Sequence, residues 1–88
     1  MSEGLKLEIL TPLKTVYSGF ITSLTVNLED GELCVLRGHM PMLAMLPAGR
    51  ARIRTGDDRV SSLNLGEGFL RVSGGDLAEI FAVTAEIE

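Results

Sequence analysis

Apolar and polar residues alternate along most of this chain with a period of two, the pattern of strands that turn one face to a core and the other to water. Leu5, Leu7 and Ile9 oppose Lys6 and Glu8 until Thr11-Pro12 ends the run. Leu13 to Tyr17 reads as a short second strand, with Leu13, Thr15 and Tyr17 on one side, and Ser18-Gly19 as a turn. The longest alternation runs from Phe20 to Leu28, with Phe20, Thr22, Leu24, Val26 and Leu28 on one face. Glu29-Asp30-Gly31 is a hairpin turn by composition, since Asp-Gly supplies the positive φ of tight turns. Glu32 to Leu36 is then expected to pair back on the preceding strand.

Gly38 and Pro41 build a stiff bend that holds His39 and Met40. Met42 to Leu46 follows, apolar on both faces, and its length favours a buried strand over a helical turn. Gly49 to Arg54 places Arg50, Arg52 and Arg54 on one face, with Ala51 and Ile53 on the other. Thr55-Gly56-Asp57-Asp58 closes a hairpin into Arg59 to Leu65, Gly66-Glu67-Gly68 bends the chain into Phe69 to Val72, and Ser73-Gly74-Gly75-Asp76 leads to a last strand, Leu77 to Thr84. Ala85 to Glu88 receives no assignment. Short strands separated by Gly, Asp, Ser and Pro turns, without an amphipathic helix, predict an all-β antiparallel sandwich or flattened barrel.

Composition narrows the function. With 88 residues, the chain is expected to be one domain, 1–88, with a core of aliphatic side chains because only 5% of residues are aromatic. Twelve acidic against eight basic residues give a net charge of -4, which disfavours nucleic acid and anionic membrane. The apolar runs fall short of the roughly 20 residues of a spanning helix, so any membrane link is expected to pass through another protein. The first residues, Met-Ser-Glu-Gly-Leu-Lys, lack the features of a secretory leader, and a single Cys forms no internal disulfide, which together point to a reducing compartment.

The run Gly31-Glu32-Leu33-Cys34-Val35-Leu36-Arg37-Gly38-His39-Met40-Pro41-Met42-Leu43, followed by Leu46-Pro47-Ala48-Gly49, resembles the G-E-L-G-I-x-P-G-H-x-P-L-L segment of the epsilon subunit of F-type ATP synthases. Leu7 to Pro12, Val16-Tyr17-Ser18-Gly19 and Leu65 to Val72 are similar to that family's flanking segments. The resemblance implies a sandwich of two packed sheets, choosing it over a barrel. It further implies a non-catalytic rotor subunit between the gamma subunit and the membrane c-ring, peripheral on the cytoplasmic side of an energy-coupling membrane and monomeric when isolated. Complete epsilon subunits usually continue into a helical hairpin, so a chain that stops at Glu88 is expected to assemble and couple without that hairpin's inhibition of hydrolysis.

No motif for catalysis, cofactor or metal stands out. His39 is the only histidine and Cys34 lies five residues before it without further partners, which does not make a zinc set. No phosphate-binding loop or dinucleotide fingerprint is present. By itself His39 reads as a turn histidine bonded to nearby backbone. The resemblance instead places Glu32 and His39 toward the rotor-facing end, Glu32 offering a carboxylate to the ring's loops, with Arg37, Met40 and Met42 nearby. Met40, Met42 and Met45 fit either core filling or a deformable contact surface, with Met40 the more exposed. Arg50, Arg52 and Arg54 read as a solvated face or as a dock for an acidic partner. Cys34 stands where the family has Gly and reads as a small buried side chain, while Arg37 stands where it has Pro. The alternative function is a freestanding sandwich that binds a small ligand, whose mark would be exposed aromatics clustered on one face.

Overall fold

The structure, a computed structural model, describes residues 4–88; the reading of the leader at residues 1–3, and the start of the expected domain 1–88, lie outside the described residues. Among the described residues, ten strands form two five-stranded sheets. Sheet I runs in the order β2 (Thr15–Ile21), β1 (Leu5–Leu10), β9 (Leu77–Ala82), β8 (Gly68–Ser73), β5 (Met42–Leu46). Sheet II runs β10 (Ala85–Ile87), β7 (Val60–Leu65), β6 (Gly49–Arg54), β3 (Ser23–Leu28), β4 (Gly31–Leu36). All pairings are antiparallel except β1 with β9, which join in parallel. The protein is an all-β sandwich.

The alternation read from the sequence becomes the core. Leu5, Leu7 and Ile9 of β1, Leu70 and Val72 of β8 and Ala78, Ile80 and Ala82 of β9 are buried against Leu24, Val26, Val35, Ala51, Ile53, Leu63 and Leu65 of sheet II. Branched aliphatic side chains from both inner faces fill this layer, as packing between two sheets requires.

Differences from the expected strands arise where the chain changes sheet. Ser18-Gly19 does not turn: both residues lie inside β2, opposite Glu8 and Leu7. The break falls instead at Thr22, whose amide and hydroxyl both donate to the Arg54 carbonyl, at 2.7 Å and 3.0 Å. Before it Ile21 points inward, and after it Leu24 and Val26 do, so the parity reverses and Phe20 is left 55% exposed. A strand that leaves one layer for the facing layer must turn its other side to the core. Val83 and Thr84 make the matching switch, Val83 donating to Glu67 and Thr84 accepting from Gly66. The last strand of sheet I therefore stops at Ala82, and Ala85–Ile87 pairs with β7 as β10. Leu13 stands in the turn before β2, almost wholly exposed.

Two further expectations are corrected. β5 is an edge strand and not a buried one, with Leu43 and Met45 exposed to solvent. Cys34 is exposed on the outer side of β4, opposite Thr25, because Leu33 and Val35 take the inward positions.

Candidate docking surface

The bend after β4 is built from its backbone. Gly38 has φ +86°, a conformation that a residue with a Cβ rarely adopts. The His39 amide donates to Leu36 O at 3.0 Å, and Nδ1 of its ring lies 2.7 Å from Met40 O, as a protonated Nδ1 donating to that carbonyl. His39 is thus half-buried and bonded to its own turn, while Met40 projects with 72% of its surface exposed. Arg37 is exposed and lines a cleft with Lys6, Phe20, Asp76 and Leu77.

The structure does not bring Glu32 to this bend. Glu32 is the second residue of β4 and His39 lies three past its last, so they sit toward opposite ends of that strand, with roughly 13 Å of extended chain between Glu32 and Leu36 alone. Glu32 pairs with Arg52 at 3.7 Å on the outer face of sheet II. Met42 turns toward the core, half-buried and packed against it opposite Val72, so the apolar contact grouped with Met40 in the sequence divides between solvent and core.

The three arginines of β6 share that outer face, and an acid partners each one: Glu88 for Arg50, Glu32 for Arg52, Asp58 for Arg54. A guanidinium already facing a carboxylate offers little net charge to an acidic partner. Glu88 also accepts from Asn64 at 2.7 Å, and its amide donates to Ser62 O, pinning β10 to β7.

A second surface was not read from the sequence. Register aligns Met45 with Phe69, Phe69 with Phe81, and Phe81 with Leu10, a transverse apolar row over β5, β8, β9 and β1 on the outer face of sheet I. The Phe69 and Phe81 rings stack with centroids 4.9 Å apart. Met45 is 76% and Leu43 68% exposed beside them. The next row carries Arg71, whose Nε and Nη2 both donate to Oε1 of Glu79 at 2.9 Å and 2.7 Å while its guanidinium lies over Phe81. Grooves along this row take in Glu67, Gly68, Phe69 and Val83, with Glu29 and Asp30 at the β5 end and no basic residue in their lining. The sequence held a signal for it: Phe69 and Phe81 share parity with Arg71 and Glu79, and a charged pair on a sheet faces outward. Among the described residues no cluster of His, Cys, Asp and Glu suits a metal ion, and no helix is long and apolar enough to cross a membrane.

The family described as the ATP synthase delta/epsilon chain β-sandwich domain has a model that matches residues 4–88. The chain belongs to that family. It is 38% identical over 72 residues to the ATP synthase epsilon chain of Chlorobium limicola, covering 82% of each chain. With the epsilon chain of Frankia casuarinae it shares 33% over 84 residues, 94% of this chain and 96% of that one. With that of Brevibacillus brevis it shares 34% over 80 residues, 91% of this chain but 60% of the longer relative. A chain in the Euglena gracilis mitochondrial ATP synthase superposes with a TM-score of 0.90 at 19% identity, over 96% of this chain and 53% of that one. A chain of the Tetrahymena thermophila central stalk and c-ring superposes at 0.82 and 17% identity, over 96% and 66%. At those identities the superpositions speak for the epsilon-type sandwich fold. The expected two-sheet architecture of this family is the one observed.

Proposed function

We propose that the protein is a non-catalytic rotor subunit of an F-type ATP synthase, a rigid sandwich of the central stalk that joins the gamma subunit to the c-ring and carries torque between them. The observation that carries this reading is the row Leu10, Phe81, Phe69 and Met45, with Leu43 beside it, laid open on one sheet of an epsilon-family sandwich. Contiguous apolar surface of this kind marks a contact with another protein. It takes the gamma subunit, together with the adjoining corner of Arg37, His39 and Met40, which leads directly into β5. Away from the Gly38 corner, beside the Met45 end of the row, Glu29, Asp30 and Glu32 gather around the β3–β4 turn and suit cationic loops of the ring. Membrane association then runs through the complex, on the cytoplasmic side, and the isolated subunit is a monomer. Two docking ends replace the single one implied by grouping Glu32 with His39.

The Phe69–Phe81 stack also favours a second reading, a freestanding module that binds a small apolar ligand in the groove of about 380 Å³ beside it. Photocrosslinkers placed at positions 45 and 32 of the assembled complex separate the two. Adducts to gamma from position 45 and to the ring from position 32 support the rotor; a complex that never incorporates the protein sinks that reading.

A further inference from the structure

The corner that presents His39 and Met40 is held from a distance. The Gly38 amide donates to Oδ1 of Asp76 at 2.7 Å, across 38 positions of sequence. Asp76 closes the β8–β9 turn with φ +59°, and its carbonyl accepts the Lys6 amide at 2.9 Å. One residue therefore ties the start of β1, the β8–β9 turn and the passage from sheet II to sheet I. The turn does not need the carboxylate for its own closure, because Ser73 already pairs with Leu77. The side chain acts instead on the corner, whose other ties, the His39 amide to Leu36 O and the ring to Met40 O, are internal to it.

We propose that Asp76 is the positioning residue of the docking corner: its carboxylate fixes the direction in which Arg37, His39 and Met40 face the gamma subunit. This rests on the rotor reading and deepens it. The physical basis is preorganisation. A corner anchored before contact loses less freedom on binding than one anchored only by its own turn, and the difference appears in affinity. A carboxylate receiving a backbone N–H is a strong anchor of its size. Asp is also suited to the backbone there, since Asp and Asn enter the left-handed region more readily than other residues with a Cβ.

Two substitutions separate backbone from carboxylate. Asp76→Asn keeps an Oδ1 acceptor and the left-handed conformation. Asp76→Gly keeps the conformation and removes the acceptor. Amide hydrogen exchange at Gly38 and His39 reads the clamp, and titration onto immobilised gamma subunit from the same source reads docking. Asp76→Gly is expected to exchange faster at Gly38 and to bind gamma about tenfold more weakly, with Asp76→Asn near the parent in both. Val26→Ala, a core change far from the corner, controls for lost stability and is expected to bind as the parent does. Unchanged Gly38 protection in Asp76→Gly overturns the clamp. Lost protection with unchanged affinity, or equal loss of affinity in Val26→Ala, overturns the positioning role. A parent protein that does not bind gamma overturns the rotor reading and the docking role with it, and the exchange measurement still judges the clamp by itself.

Discussion

Met42 and Met45 lie three positions apart on one short strand, yet the structure gives them opposite fates: Met45 projects from the outer face of β5 and Met42 packs against the core. Fully removing a Met side chain from water is worth roughly 1.5–3 kcal/mol. With 76% of Met45 still exposed, most of that remains to be gained at an interface. Truncation in Met45→Ala is therefore expected to cost about 1–2 kcal/mol of binding, roughly 5- to 30-fold in Kd for gamma. Its melting point should hardly move, because exposed substitutions stay within about 0.5 kcal/mol. Met42→Ala should behave inversely, losing about 1–3 kcal/mol of stability from the half-buried side chain while Kd changes less than about twofold. Fluorescence titration against gamma, paired with thermal melts, reads both quantities. A Met45→Ala protein with unchanged Kd would refute the docking face, and a Met42→Ala protein that loses affinity without losing stability would return that residue to the contact surface.

Three further outcomes follow from particular contacts. A Cβ at Gly68 would stand 1.8 Å from the Phe81 carbonyl oxygen, so Gly68→Ala must displace backbone between β8 and β9 and is expected to cost about 3 kcal/mol or more; a cooperative melt at the parent temperature by circular dichroism would contradict this. Asp57 is held below its ordinary value of 3.8, first by the Thr55 hydroxyl and then by the Arg59 amide, so its turn is fully stabilised above the unfolded pKa and loses that stabilisation as pH falls through the lower folded one. Protection of the Thr55 and Arg59 amides, taken relative to their intrinsic exchange at each pH, should fall in acid, and Asp57→Asn should remove that dependence; an identical acid response in both proteins speaks against it. Glu32→Ala breaks an exposed ion pair with Arg52 and should leave stability within about 0.5 kcal/mol while weakening attachment to the c-ring, whereas a large fall in melting temperature would make Glu32 structural.

The inner faces of the sandwich were legible because burial is regular along a strand that stays in one sheet: Leu5, Leu7 and Ile9, or Ala51 and Ile53, can be read off by parity. That rule fails where the chain crosses between layers. At Thr22 and again at Val83-Thr84 a run that looks continuous reverses its inward side, and nothing local marks the reversal because the carbonyls that hold those corners, Arg54 of β6 and Glu67 of the bend between β7 and β8, are distant in sequence. Edge position was equally hidden. Met42 to Leu46 is apolar throughout, and only the sheet order shows that Leu43 and Met45 have no layer above them. Cys34 was misplaced inward although Leu33 and Val35 on either side leave it the outer position. The stiff bend at Gly38 was visible in its Gly and Pro, but its anchor was not, since Asp76 lies 38 positions away and reads as ordinary turn composition.

Calorimetric titration of this protein with the gamma subunit from the same source tests the rotor assignment most directly. The account expects saturable one-to-one binding with a negative heat-capacity change, the mark of apolar surface leaving water as the sheet I row is covered. Absence of binding, with both proteins folded, would contradict it.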